Sequence, residues 1–324
     1  MVPLAAHFSS KPRILVTGYQ RFIHQHLMPM VFSRDEWEVF TLDLDGIRSP
    51  WRRLFVALRY LSQADLWFQI HGYAGRGWLY RLAKRLGVPV IMYWQGTDVL
   101  SARKYFSQHP QDLQSGFIHW AVAPWLVEEL KALAIEAQFM PFPFKSVATY
   151  LAQEPPPLPD RFSVLTYLSD SRPSFYGWEH ILRLAEALPE LPIQVIGATG
   201  NFASHYPANI HFAGWVADPL PFFRDNVVLV RMPEHDGYPA TVEEALALGR
   251  YVIWTYPFPG AIQAQDDMML VEQVKRLYHL HQEGRLTVNQ TGRVYLQEAM
   301  LPEKLAEQIV QGIRNVLQEK RGQF

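Results

Sequence analysis

The sequence predicts an α/β fold made of two parallel-sheet halves that face each other across a cleft. Three observations carry this expectation. Short apolar runs alternate with helical patterns, a proline-rich break divides the chain nearly in half, and the alternation restarts after the break. With 324 residues, 49% of them hydrophobic, there is enough apolar surface for two cores, and global disorder is excluded. The absence of cysteine excludes disulfides, thiolate metal sites and a cysteine nucleophile. No apolar stretch approaches the roughly 18 residues that span a bilayer. Residues Met1 to Arg13 carry no long apolar segment, so no signal peptide and a cytoplasmic address are expected.

In chain order, Arg13 to Gly18 reads as a buried strand ending in a turn. Glu38 to Leu42, Asp65 to Gly72, Pro89 to Gly96 and His119 to Ala123 read as the next four strands, with helical patterns between them. The segment 153–160, Gln-Glu-Pro-Pro-Pro-Leu-Pro-Asp, loses a backbone donor at each proline and is read as the linker. The expected domains are therefore 1–152 and 160–324. In the second half, strands are expected at Phe162 to Tyr167, Ile193 to Gly197, Ile210 to Phe212, Val227 to Val230 and Tyr251 to Trp254. Helices are expected at Gly177 to Leu188, Pro239 to Leu248 and Pro302 to Gln318. Ligands of open parallel sheets sit outside the carboxyl ends of the strands, which is where functional residues are sought.

The most informative stretch follows the strand ending at Val230. A loop from Arg231 to Tyr238 leads through Pro239 into a short helix that stops at Gly249. Gly237 lets backbone approach a ligand closely. The helix N-terminus offers unpaired N–H groups and partial positive charge, a seat for a diphosphate, with Thr241 in its first turn. Asp236 before the helix and Glu244 inside it can hydrogen-bond sugar hydroxyls at two points. The run Asp236-Gly237-Tyr238-Pro239, four residues, Glu244-Ala245 and then Gly249 resembles the donor-binding segment of GT-B glycosyltransferases, especially retaining family 4. The family carries Glu where Asp236 stands. The resemblance implies two Rossmann-like domains, Asp236 at the donor sugar and Glu244 at the ribose. It implies catalysis with retention and no metal, and no cofactor beyond a nucleotide-diphosphate sugar as co-substrate.

Upstream, Asn209 to Val216 resembles the family's strand and glycine turn over the nucleotide base. Arg172 stands where the family holds the diphosphate, or is a surface arginine; Tyr176 replaces the family's Lys before Gly177. In the first half, Gln95-Gly96-Thr97-Asp98 resembles the family's His-Gly-Ser-Asp turn, with Gln in place of His. Asp98 either orients an acceptor hydroxyl and acts as a base, or caps a helix. His71, at a strand end, is a second acid/base candidate or a structural histidine. Gly18 is a donor-diphosphate contact or a plain turn. The family also implies that the last helix returns to the first domain.

The net charge of −1 argues against a nucleic-acid partner, but its distribution is uneven: residues 46–104 hold 10 basic and 2 acidic residues. Trp51, Leu54, Phe55, Leu58 and Leu61 share one helical face, bordered by Arg52, Arg53 and Arg59. This is either a core-packed helix with solvated arginines or an interfacial helix for an anionic membrane surface. The latter suits peripheral association and polysaccharide biosynthesis. The expected activity is transfer of a sugar from a nucleotide-diphosphate donor to a glycan or lipid-linked acceptor. The alternatives are a non-catalytic nucleotide-sugar-binding protein and a nucleotide-sugar epimerase of the same fold. Rival motifs are weaker. Gly75-Arg76-Gly77 lacks the third glycine of a dinucleotide fingerprint, Asp43-x-Asp45 reads as a turn, and His24-x-His26 and His279-x-His281 lack further metal ligands.

Overall fold

The computed structural model describes residues 11–43, 46–71, 77–109 and 116–322; the expectations concerning residues 1–10, Asp45, Gly72, Gly75 and Arg76 fall outside them. The chain forms two compact units, Met1–Lys145 with Pro302–Phe324, and Ser146–Leu301.

Unit 1 is built on strands β1 (Arg13–Thr17), β2 (Glu38–Leu42), β3 (Leu66–Ile70), β4 (Val90–Trp94), β5 (Ile118–Ala121) and β6 (Ala137–Phe139). All pair in parallel, in the order β2-β1-β3-β4-β5-β6. Between them lie α1 (Gln20–Phe22), a π-helical run Ile23–Phe32, α2 (Pro50–Leu61), α3 (Gly77–Arg85), α4 (Thr97–Gln108) and α5 (Pro124–Lys131). The register decides which helix covers which face, because side chains alternate along a strand. Phe40, Leu15 and Trp67 form one lateral row. Tyr60 of α2 meets Phe40 at 6.1 Å and Tyr80 of α3 stacks on Trp67 at 5.1 Å, so these two helices share a face. On the other face Phe68 meets Phe32 at 5.4 Å and Trp120 at 5.8 Å.

The last helix covers that second face. Helix α12 (Pro302–Gly322) buries Leu305, Ile309, Ile313, Val316 and Leu317, a stripe at helical spacing. A Cβ at Gly312 would stand 2.6 Å from the Trp120 ring, so the glycine permits the close crossing. Pairs Arg34–Glu307 and Arg314–Glu36 lie at the rim, where ion pairs add little beside the apolar stripe.

Unit 2 contains α6 (Lys145–Leu151) and strands β7 (Val164–Tyr167), β8 (Ile193–Ile196), β9 (Ile210–Gly214), β10 (Val228–Arg231), β11 (Tyr251–Trp254) and β12 (Ile262–Gln263). They are parallel, in the order β12-β11-β10-β7-β8-β9. Its other helices are α7 (Trp178–Ala187), α8 (Leu220–Asp225), α9 (Ala240–Ala247), α10 (Asp267–Gln282) and α11 (Gln290–Ala299). The edge strands β6 and β12, three and two residues long, are the ones the sequence pattern does not announce.

The switch from unit 1 to unit 2 falls at Lys145/Ser146, ahead of the proline-rich segment where the sequence places it. The buried guanidinium of Arg293 gives the reason. It donates to the carbonyls of Tyr150, Leu151 and Gln153 at the end of α6, and to that of Ala247 at the end of α9. Those terminal carbonyls lack helical partners, and a cation there also complements both helix dipoles. Replacing Arg293 by Ala should lower unfolding free energy by about 3 kcal/mol, read as a reduced urea midpoint, because four carbonyls lose the guanidinium and those of Leu151 and Ala247 are buried.

Candidate functional site

Both sheets reverse their strand order at one point, between β1 and β3 in unit 1 and between β7 and β10 in unit 2. Such switch points open a crevice at the carboxyl ends of the strands. Sequence-selected residues gather at each.

In unit 2, β10 ends in Arg231, whose guanidinium is buried and forked onto Asp236, with Nε–Oδ2 2.6 Å and Nη2–Oδ1 3.1 Å. Burial pulls the guanidinium pKa down, and the Asp236 carboxylate outweighs this, so the net shift is upward. The same guanidinium lies 5.7 Å from the Tyr167 ring and 5.9 Å from the Tyr176 ring. Arg172, exposed, covers Phe175 at 4.8 Å and Tyr176 at 5.7 Å. The Tyr176 ring thus has two guanidinium groups within 6 Å, a cation–π arrangement.

The loop is fastened to this layer. The Glu234 amide donates to the Phe175 carbonyl at 2.9 Å, and a Cβ at Gly177 would lie 2.4 Å from the Met232 carbonyl oxygen. The Asp236 amide donates to the Tyr256 hydroxyl at 3.3 Å. Gly237 is buried and Pro239 occupies the N-cap of α9. The Tyr238 ring is buried against Phe258 at 5.2 Å and Trp254 at 6.4 Å, so it packs into the unit rather than lining the loop surface. The Thr241 hydroxyl is buried with no hydrogen-bond partner among the described residues.

Glu244 lies inside α9, buried. Burial pushes its carboxyl up to about 7; the Ser146 hydroxyl opposes the shift and Asp218 adds to it. Burial and the charges of Glu244 and Asp218 also raise the Tyr150 phenol. Ser146, Tyr150, Asp218 and Glu244 therefore form one polar cluster, close in sequence to the exposed Trp215 after the Gly214 turn. Sequence reading finds Glu244 but misses Tyr150, Asp218 and Arg231. The signal for Arg231 is a cation closing an otherwise apolar strand.

In unit 1 the structure brings Asp98 and His71 together. The Asp98 carboxylate accepts backbone N–H groups of Gln95 at 3.0 Å, Gly96 at 2.7 Å and Val99 at 3.1 Å. It is not the N-cap that the capping alternative expects, since Gly96 holds that position; Asp98 stands in the first turn of α4, reaches back to the amides that precede the helix, and its Oδ2 also lies 4.0 Å from His71 Nδ1. His71 holds φ at +62°, a conformation a non-glycine residue keeps only when its surroundings impose it. The surroundings do so. The His71 amide donates to the Tyr93 carbonyl at 3.1 Å, and the Gln69 carboxamide donates to the carbonyls of Ile70 at 2.8 Å and His71 at 3.0 Å. Gln69 is itself bonded to Thr17, which accepts from Trp67 at 2.7 Å. Gly18, at φ +118°, is fixed by the same contact: a Cβ would stand 2.0 Å from the Ile70 carbonyl oxygen. The imidazole is partly exposed, edge-on to Tyr19 at 5.9 Å.

Two of the rival histidines have structural partners. His26 packs among Phe22, Phe142 and Phe144, and burial pulls its pKa down to about 4. His281 Nε2 bonds the Pro159 carbonyl at 2.8 Å. Asp43 accepts the Gly46 amide at 3.1 Å, a turn. Among the described residues no group of three or more His, Cys, Asp or Glu has metal-binding geometry, and no helix is long and apolar enough to cross a membrane.

Known structures share this architecture. A sucrose-phosphate synthase from Thermosynechococcus elongatus superposes with a TM-score of 0.68 at 15% identity, over 95% of this chain and all of that one. The chain has the GT-B fold. GT-B structures related at lower scores include TarM, with TM-score 0.58 at 10% identity over 82% of this chain and 58% of TarM. They also include the UDP-GlcNAc 2-epimerase of Neisseria meningitidis, with TM-score 0.54 at 11% identity over 94% and 100%. No family model matches the sequence, and no curated protein matches it.

Beside Glu244 in the GT-B unit 2, Glu243 is fully buried, and neither carboxylate oxygen has a partner among the described residues. Burial, then the charge of Glu244, push its pKa well above 4.5. The unfolded chain ionises this carboxyl near 4.5, so stability is present below that pH and is lost as pH rises toward the folded value. Glu243→Met should therefore raise Tm by several degrees at about pH 8, with the gain shrinking toward pH 4 in thermal scans.

Proposed function

We propose that the chain is a glycosyltransferase that takes a sugar from a nucleotide-diphosphate donor, held by unit 2, to a glycan or lipid-linked acceptor, handled by unit 1. One observation carries the reading: on unit 2 the Glu244 cluster, the start of α9 and the Arg231–Asp236 pair follow each other within one strand-loop-helix passage. Glu244 accepts the ribose hydroxyls, and the diphosphate rests at the start of α9 near Gly237 and Thr241, with Arg172 as counter-charge. Tyr238 and Pro239 contribute through backbone. Asp236, held in one orientation by Arg231, meets the donor sugar. The bond between the anomeric carbon and the phosphate oxygen breaks, the nucleoside diphosphate leaves, and the acceptor oxygen takes its place. Charge grows on the departing phosphate, where the helix dipole and Arg172 favour it. His71, with Asp98 beside it, receives the acceptor proton. Retention at the anomeric carbon and independence from added metal belong to this proposal. A mutant of S. aureus TarM, whose crystal structure holds fondaparinux, α-GlcNAc-glycerol and UDP, supports it as a fold precedent.

The test is incubation with a panel of nucleotide sugars, with and without membrane extract, in EDTA and in Mg²⁺. Acceptor-dependent nucleotide release in both supports the reading, and NMR of the product reports the anomeric outcome. Interconversion of nucleotide sugars without acceptor would establish epimerisation instead, and binding without turnover a sensor.

Glu244→Ala should weaken nucleotide binding at least tenfold by calorimetry, because the ribose loses a buried acceptor. With its carboxyl near 7, protonation competes with those hydroxyl donors. Affinity should rise roughly tenfold between about pH 6 and pH 8, and Glu244→Gln should flatten that profile. His71→Ala should lower turnover by at least about a hundredfold while leaving nucleotide affinity unchanged.

A further inference from the structure

The common face of α2 and α3 carries residues that a soluble protein normally hides. Trp51 is 81% exposed, Phe55 67% and Leu58 39%, at spacings that set them in one line along α2. They are not the packing side of the helix, which is Ala57 and Leu61. Arg48, Arg52 and Arg59 are exposed beside them. On the neighbouring α3, Trp78 is exposed together with Arg81, Lys84 and Arg85, and Leu86 is exposed in the turn that follows. Neither helix contains an acidic residue. Of the two carboxylates in residues 46–104, Asp98 is buried and Asp65 pairs with Lys320.

We propose that this face docks on an anionic lipid bilayer. Aromatic and aliphatic side chains project from helices whose polar neighbours are all cationic, the combination that inserts shallowly at a charged headgroup layer. Charge argues against the other occupants. A second copy of the chain would bring the same basic face to a two-fold contact, where like charges oppose each other. A nucleic acid would use the arginines but leave Leu58 and Leu86 without a partner. The inference stands on unit 1 alone and is independent of the reaction proposed above.

The experiment is vesicle flotation of the full chain with phosphatidylcholine vesicles containing about 30% phosphatidylglycerol, and with pure phosphatidylcholine. Binding should occur on the anionic vesicles, weaken with salt, and be at least tenfold weaker on neutral ones. Each basic residue near such a surface multiplies partitioning by roughly fivefold, so the double variant Arg52→Glu/Arg59→Glu should lose at least tenfold. Trp51→Ser/Phe55→Ser should lose a similar amount at unchanged charge. These positions are exposed, so thermal scans should show all variants folded. Absence of binding by the wild type, or equal binding by both variants, would overturn the proposal. So would self-association in sedimentation velocity that Phe55→Ser abolishes without any vesicle binding.

Discussion

Arg231 ends a buried strand, and a charge placed there has to be neutralised where it stands. Asp236 does this five residues later, which bends the loop back on the strand it leaves. The fork presents the remaining face of the guanidinium to Tyr167 and Tyr176, and the Glu234 amide ties the loop to the turn before α7. The entry angle of α9 follows, and with it the placement of Thr241 and Glu244. A buried pair of this kind adds little to stability by itself, but losing one partner strands the other. Its contribution here is orientation: a carboxylate with two oxygens on one guanidinium has one direction left to face.

Unit 1 reaches a comparable result by strain instead of charge. His71 sits in left-handed backbone, and a column of polar groups inside the sheet, Thr17 and Gln69, holds it there. Gly18 supplies the space for the Ile70 carbonyl that this column fixes. The two switch points thus each carry one titratable residue fixed in place, Asp236 by an ion pair and His71, at its backbone, by hydrogen bonds.

Most of the strands were legible because buried parallel strands are short, apolar and separated by helical patterns, whereas their lateral order in each sheet was not read from the sequence. The edge strands β6 and β12 were not, since two or three residues carry no period. Gly237 and the start of α9 could be read from the Gly-Tyr-Pro turn, whereas Asp236 and Glu244 were singled out by the resemblance of their spacing to a known donor-binding segment. Arg231 pairs only five residues on and was signalled by a cation closing an apolar strand, whereas Tyr150 and Asp218 could not be found, because each meets Glu244 from a distant part of the sequence. The same holds for Gln69, though a polar residue inside the run Leu66–Ile70 was a usable sign. Asp98 was read as either a cap or a functional group. The N-cap is Gly96 instead, because Asp98 lies inside the first turn; its carboxylate folds back onto the Gln95 and Gly96 amides and lies 4.0 Å from His71.

Because the polypeptide leaves unit 1 at Lys145 and returns at Pro302, unit 2 is an insertion in the topological sense. On a ribosome the first sheet emerges early, yet Phe32, Phe68 and Trp120 stay uncovered until α12 has been synthesised. Unit 2 is complete before that and can close on its own. The nascent protein therefore carries an unfinished apolar surface through the last half of its synthesis, a window in which chaperone capture competes with folding.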